Sequence, residues 1–503
     1  MGQRTPIFEK LLVVGTATAS YQIEGAVNQD GRGRSVWDVF SHTPGKIKPG
    51  HTGDVACDHY NRMTEDVQLL KQLGVDAYRF SIAWPRVLPE GRGRVNEKGI
   101  DFYSRLVDEL LEAGITPYPT IFHWDLPQSL QKEYGGFNDR RIVKDFADYA
   151  EILGQRLGDR VKKWITINEP WVYSILGHLL CVHAPGKKNP WIALRVVHHT
   201  LLAHAAAVER LRNVLGNTEP STGPRSKSPS GNSPSSTSAR TTGAKAEGHK
   251  HDDGEVEIGI TLNLFPVYPK SESKKDRKAA GMADQFVNRL FLDPLLKGEY
   301  PKELWEKFKL LRPKVSEEDM RRISTPVDFI GINNYTRERA EYRYLIPWAH
   351  FYLSGMDVPE REYVKNGVQH TSMGWEVYPE GIYELLSRMR DEYGNPPVYI
   401  TENGAAFNDE LVEEEGELRV HDPLRVDYLR SYLREVERAC RDGCNVKGYF
   451  VWSLMDNFEW AEGYNKRFGL FYVDYEDGQR RIMKDSGYWY RDFIRNRKQL
   501  FES

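Results

Sequence analysis

The sequence predicts an α/β protein, a single closed (β/α)8 barrel of the TIM type with long βα loops. Three observations carry this expectation. Eight short β-rich runs, at 11–15, 75–82, 115–122, 164–167, 258–264, 327–333, 397–401 and 446–452, are mostly separated by helical patterns, and that alternation implies parallel strands joined by right-handed crossovers. Two of the runs end abruptly, one in Asn168–Glu169 stopped by Pro170 and the other in Glu402–Asn403 stopped by Gly404. Polar side chains at strand C-termini are where barrel enzymes hold their chemistry. No dinucleotide fingerprint favours an open doubly wound sheet. Gly31–Arg32–Gly33–Arg34 and Gly91–Arg92–Gly93–Arg94 lack the strand-then-helix context and read as turns.

The elements follow a repeating grammar of amphipathic helix, glycine stop, buried strand and functional residues. Met63, Val67, Leu70 and Leu73 fall at helical spacing, and Gly74 can supply a left-handed cap. The strand at 75–82 then carries Arg79, with Trp84–Pro85 beyond it. Phe102, Leu106, Leu110 and Leu111 mark the next helix, Gly114 ends it, and the strand at 115–122 leads into His123–Trp124–Asp125. A third helix through Phe146, Tyr149, Ile152, Leu153 and Leu157 stops at Gly158 before the strand that delivers Glu169. Residues 1–503 are expected to form one domain, interrupted at 217–254. That stretch contains no Ile, Leu, Val, Met, Phe, Tyr or Trp and is rich in Ser, Thr, Pro and Gly, so it is expected to be a disordered surface insertion. Lying between a helix and the 258–264 strand, it should sit on the face opposite the strand C-termini.

Composition narrows the function. Lys and Arg number 69, Asp and Glu 72, and the net charge of −3 is spread along the chain, which favours neither nucleic acid nor an anionic membrane. Four cysteines (Cys57, Cys181, Cys440, Cys444) are too scattered for a disulfide framework and read as free thiols. Leu11 to Val14 is too short an apolar run for a signal-peptide core, so a cytoplasmic location is expected. The one Asn-x-Thr acceptor, Asn334–Tyr335–Thr336, falls on an expected barrel strand, where glycosylation is incompatible with folding. His198, His199 and His204 lie on an apolar helix and are assigned to packing. Neither metal nor cofactor is expected.

Two strand-end glutamates far apart in sequence can face each other only across one closed sheet. Paired carboxyl groups across a pocket are the equipment for cleaving a glycosidic bond. One such group must be ionised to attack and the other protonated to donate to the leaving oxygen.

Thr166–Ile167–Asn168–Glu169–Pro170, Ile400–Thr401–Glu402–Asn403–Gly404, Phe122–His123–Trp124–Asp125 and Trp452–Ser453–Leu454–Met455–Asp456–Asn457–Phe458–Glu459–Trp460 together resemble glycoside hydrolase family 1, the retaining β-glucosidase family, and most of all its intracellular fungal members. The resemblance runs from about residue 14 to about residue 493 and leaves out the insertion. It implies Glu169 as acid/base and Glu402 as nucleophile, with Arg79, Asn333 and Tyr335 around the nucleophile; in those roles Arg79 and the Tyr335 hydroxyl would keep Glu402 ionised, and the Glu402 anion is the expected cause of a raised pKa at Glu169. It further implies that Gln22, His123, Asn168, Glu459 and Trp460 hold the sugar, with Trp452 as its stacking floor. Trp124 and Phe468 complete the substrate-binding set, and Trp375 is the aromatic platform of the aglycone side. The implied reaction is hydrolysis of terminal β-glucosyl residues from small glycosides. A non-catalytic sugar-binding barrel is the alternative. The chain departs from the pattern at Leu12–Val13–Val14–Gly15, where an aromatic-rich opening is usual, and at His178 and Cys181, where Tyr and Gly are common; aglycone preference is what these last two put in question.

Overall fold

The computed structural model describes residues 12–216, 254–346, 349–355 and 367–496. Eight parallel strands close a barrel: β1 (Val13–Ala17), β2 (Ala77–Ser81), β3 (Thr116–Phe122), β4 (Lys163–Asn168), β5 (Glu257–Asn263), β6 (Phe329–Asn333), β7 (Val398–Asn403) and β8 (Val446–Trp452). Neighbours in sequence are neighbours in the sheet, and β1 returns to β8 with Val13 beside Gly448 and Ala17 beside Trp452. The expected fold class and all eight strands are therefore present.

The boundaries shift for identifiable reasons. The 327–333 run becomes a strand only from Phe329, because Asp328 turns its carboxylate onto the Ile258 amide at 2.9 Å. The 397–401 run extends to Asn403, which places Glu402 and Asn403 inside β7 rather than beyond it. Asn334 lies one residue past β6, not on it; it is nonetheless buried and donates to the carbonyls of Leu264 (2.9 Å) and Thr336 (3.0 Å). Residues 217–253 of the expected insertion lie outside the described residues. Its described flanks, the end of helix Pro190–Leu215 and the start of β5, are at the N-terminal end of the barrel. Three small sheets went unforeseen, at 267–269 with 338–342 and 351–353, at 411–420, and at 471–483. Their strands are three to five residues long, too short for alternation to register.

Large side chains fill the barrel and glycines make room for them. Tyr118 packs against Phe450 and Tyr399 with ring centroids 5.1 and 5.7 Å apart. A Cβ on Gly15 would lie 2.6 Å from Phe450, and one on Gly448 would lie 2.7 Å from Tyr399, so both positions exclude any side chain. The helix Pro190–Leu215 is long and apolar enough to cross a membrane, but most of it is buried within the protein. On it, His198 meets Tyr300 (2.9 Å), His199 the Phe137 carbonyl (2.9 Å) and His204 the Thr166 hydroxyl (2.6 Å), which is the packing role expected. The four cysteines are free.

Candidate active site

Backbone irregularities aim the two glutamates. The pairing of β4 with β5 slips between Ile165 and Asn168, and that of β7 with β6 slips between Ile400 and Glu402. Such bulges re-aim side chains at barrel rims. Glu169 then leaves the strand with φ at 44°, held by its amide on the Thr261 carbonyl at 2.9 Å. A glutamate in the left-handed region costs on the order of 1–3 kcal/mol and persists only where its surroundings impose it. Trp124 and Trp460 share that feature, at 75° and 43°. A π-helical turn, Val172–Leu176, follows Glu169 directly, a form of helix that recurs at functional sites.

Arg79, fully buried on β2, is the hub. Its guanidinium donates to Glu402 Oε1 at 2.5 Å, to Asn168 Oδ1 at 2.6 Å, to the Thr401 carbonyl at 3.1 Å and to Thr120 Oγ1 at 3.2 Å. Tyr335 donates its hydroxyl to Glu402 Oε2 at 2.6 Å. Both oxygens of the β7 carboxylate are thus held by donors. Asn333 donates to Glu169 Oε1 at 2.6 Å and to Asn168 Oδ1 at 3.1 Å, and is itself oriented by the Thr401 hydroxyl at 2.7 Å. One continuous network therefore ties both glutamates to Arg79, Asn168, Asn333 and Tyr335.

The two carboxyl groups are electrostatically unequal. Glu169 is held well above the usual carboxylate range, first by burial and second by the charge of Glu402, while the Asn333 hydrogen bond and Arg79 pull the other way. The sequence reading named the Glu402 anion as the cause; burial outranks it, because Glu169 is only 6% exposed. Burial first, and then the carboxylates, also push the Tyr335 hydroxyl up, so it remains a donor.

A second group of side chains gathers beside the first. Gln22 donates to Asn457 Oδ1 (2.8 Å), the Phe458 carbonyl (2.9 Å) and Glu459 Oε2 (3.3 Å), while its own Oε1 is buried with no protein partner. Asn168 Nδ2 lies 2.9 Å from His123 Nε2. An amide nitrogen only donates, so His123 accepts there and carries its proton on Nδ1, which is likewise buried and unpartnered. Burial, then Arg79, holds His123 well below its usual pKa and hence neutral. Buried polar atoms without protein partners at one site are suited to the hydroxyl groups of a ligand. Glu459 is pushed up to about 8 by burial first and then by Glu402, against hydrogen bonds from Gln22 and Trp452. With that pKa the group is largely protonated at pH 7.

The aromatic residues divide into two sets. Trp460 packs against Trp124 (4.5 Å between centroids), Trp37 (4.7 Å) and His123 (5.7 Å), and Trp452 lies 6.0 Å from His123. Trp375 meets Tyr335 at 5.4 Å and Phe468 at 6.1 Å. Trp124 spends its indole N–H on the Asn168 carbonyl at 2.8 Å, which leaves its ring face for contact. Every residue expected at the site is thus drawn into one of these connected groups. Trp37, Thr401 and His183 were missed. His183 packs 5.3 Å from Trp37 and 5.6 Å from Trp124, but only its place in the loop after Glu169 signals it in sequence. His178 is buried against the Tyr173 carbonyl at 3.0 Å, and Cys181 receives a hydrogen bond from Lys46 at 3.1 Å. Among the described residues no group of three or more His, Cys, Asp or Glu could hold a metal ion.

A raised carboxyl and an arginine-paired carboxylate at the C-terminal ends of β4 and β7, beside unpartnered hydroxyl-binding atoms, define a barrel glycosidase. The chain belongs to glycosyl hydrolase family 1, whose model matches residues 5–247 and 235–499. It is 47% identical over 484 residues to beta-glucosidase A of Thermotoga maritima, covering 96% of each chain. It is 42% identical to a bifunctional beta-D-glucosidase/beta-D-fucosidase of Bifidobacterium breve, covering 97% of this chain and 98% of that one. The solved Thermotoga maritima family 1 glycoside hydrolase complexed with a cyclophellitol analogue transition state mimic superposes with a TM-score of 0.83 at 47% identity, over 97% of this chain and 98% of that one. The expected kinship with intracellular fungal enzymes is not what these relatives support, since they are bacterial.

Proposed function

We propose that this protein is a retaining β-glucosidase that removes terminal non-reducing β-D-glucosyl residues from short oligosaccharides and from aryl or alkyl β-glucosides. The observation that carries the reading is the inequality of the two glutamates: Glu169 held above the ordinary carboxylate range, Glu402 paired with Arg79 and Tyr335. Glu402 attacks the anomeric carbon while Glu169 gives its proton to the departing glycosidic oxygen, so the glycosyl ester forms as the aglycone leaves as an alcohol. The ester abolishes the charge on Glu402. The part of the Glu169 shift owed to that charge disappears with it, so Glu169 becomes the stronger acid and can accept a proton from water attacking the ester. Water returns the sugar with its original configuration; another sugar or alcohol in its place gives transglycosylation.

Gln22, His123, Asn168, Glu459 and Trp460 hold the sugar, Trp452 and Trp124 offer ring faces to it, and Trp375 with Phe468 forms the aglycone wall. Because Glu459 can serve two hydroxyl groups, β-galactosides and β-fucosides are further substrates; the bifunctional relative of Bifidobacterium breve supports the fucoside. A cytoplasmic location and small glycosides as substrates, with neither nucleic acid nor membrane as a partner, complete the proposal. The rival reading, a non-catalytic sugar-binding barrel, leaves the presence and pairing of both glutamates unexplained.

Hydrolysis of an aryl β-glucoside by the wild type and by Glu402→Ala, with and without azide, tests the proposal. Activity in the wild type, its loss in the variant and azide rescue to an α-glucosyl azide are the expected results. A wild type inactive on gluco-, galacto- and fucosides alike would overturn it.

A further inference from the structure

We infer that Arg337 is a positioning residue for the aglycone, fixing the Trp375 loop through a stacked ion pair with Glu376. The tripeptide after β6 divides its labour: Tyr335 holds Glu402, while Thr336 and Arg337 hold the segment that carries Trp375. The Thr336 hydroxyl donates to the Glu376 carbonyl at 2.7 Å. Arg337 grips the Glu376 carboxylate with two parallel bonds, Nε to Oε2 at 3.0 Å and a terminal nitrogen to Oε1 at 2.6 Å. Its guanidinium also lies over the Tyr378 ring at 3.9 Å and near the Tyr268 ring at 5.2 Å. Both tyrosines are fixed in turn by Glu384, Tyr378 donating at 3.0 Å and Tyr268 at 2.5 Å.

The Trp375 loop is a tight turn that needs such an anchor. Gly374 has φ at 76°, its amide meets the Thr371 carbonyl at 2.9 Å, and the Thr371 amide meets the Trp375 carbonyl at 2.9 Å. Trp375 itself leans on Tyr335 and Phe468 only through ring contacts of 5.4 and 6.1 Å, which tolerate sliding. A two-point guanidinium grip stacked on an aromatic ring fixes direction as well as distance, which a lysine cannot reproduce. Arg337 and Glu376 side chains are 16% and 13% exposed, so the pair is shielded but not in the deep core. Removing it should loosen the loop and leave the barrel folded.

This inference rests on Trp375 as the aglycone wall, and its test separates the two. Steady-state kinetics on an aryl β-glucoside and on cellobiose are compared with the dissociation constant of deoxynojirimycin, which has no aglycone, for Trp375→Ala, Arg337→Met, Arg337→Lys and Glu376→Gln. Arg337→Met and Glu376→Gln are expected to raise KM about tenfold, as a misplaced contact surface does, with deoxynojirimycin affinity unchanged. Arg337→Lys is expected to recover only part of the loss. An unchanged KM in Arg337→Met when Trp375→Ala raises it overturns the role of Arg337. An unchanged KM in Trp375→Ala overturns the aglycone wall itself. Equal losses of KM and deoxynojirimycin affinity in Arg337→Met would make the pair a general structural brace, and also overturn the inference.

Discussion

Arg79 and Glu402 meet at 2.5 Å, and the same guanidinium reaches Asn168, the residue before Glu169, at 2.6 Å. One side chain on β2 therefore sets the orientation of the strand ends that carry both carboxyl groups. A planar fork can do this because its donors diverge at a fixed angle. Breaking a buried pair by deleting one partner costs about 3–5 kcal/mol. Arg79→Lys keeps the charge but replaces three diverging nitrogens by one, so it cannot reproduce the separate directions along which the guanidinium reaches Thr120, Glu402 and Asn168. The expected result is a fall in kcat/KM of roughly 10²–10³, as when one transition-state donor is lost, with Arg79→Ala also melting at lower temperature. A lysine variant with wild-type kinetics would show that charge alone suffices.

The raised Glu169 gives the pH profile its alkaline side. Only the protonated group can donate to the leaving oxygen, so kcat/KM should fall as pH rises through its pKa. The Asn333 amide stabilises the charged form of Glu169. Asn333→Ala should therefore move the alkaline limb to higher pH while lowering kcat roughly 10–100-fold through misplacement. Direct titration of Glu169 in Glu402→Gln checks the order of causes. The pKa is expected to fall yet stay above an ordinary glutamate, because burial remains; a full return to normal would mean that charge controls it.

What the sequence revealed depended on how locally each feature is encoded. The strand ends of β4 and β7 were legible because Pro170 and Gly404 cut off short apolar runs beside a glutamate. Arg79 could be placed on β2, but not its reach to Asn168, which depends on where three strands converge. Burial outranking Glu402 as the cause of the Glu169 shift was equally invisible, since desolvation is set by the surrounding elements. The capping box at Ser35 and Asp38 lies in plain sight, yet nothing in it announces that the helix it opens delivers Trp37 to Trp460. Arg337 and Glu376 are 39 positions apart and carry no motif.

The barrel interior offers a prediction independent of the chemistry. A Cβ on Gly448 would lie 2.7 Å from Tyr399 and 2.8 Å from the Val13 carbonyl. The ring has Tyr118 and Phe329 against its other sides, at 5.7 and 4.9 Å, and the carbonyl belongs to the strand that closes the barrel. Gly448→Ala should destabilise by about 1–3 kcal/mol through overpacking, measured as a lower denaturant midpoint with an unchanged slope. A neutral result would show that β1 and β8 can separate locally to admit a methyl group.

Glu459 links the sugar site to stability. Its pKa of about 8 exceeds the ordinary glutamate value, so between roughly pH 4.5 and 8 the folded state binds more protons at this group than the unfolded chain does. Stability from this group is complete below the unfolded pKa and is lost as pH rises through the folded one. One pKa unit corresponds to about 1.4 kcal/mol, but Glu459 is only partly buried at the site, and solvent screening there reduces the effect. A loss of about 1–2 kcal/mol across that window is expected in the wild type. Glu459→Gln cannot ionise, so its stability should fall less over the same range, as read from denaturant unfolding at pH 5 and pH 8.5. The glutamine keeps one acceptor and gains a donor, so β-glucoside and β-galactoside rates should change by different factors. Parallel pH–stability curves for the two proteins would mean that Glu459 is solvated well enough in the folded state to titrate normally.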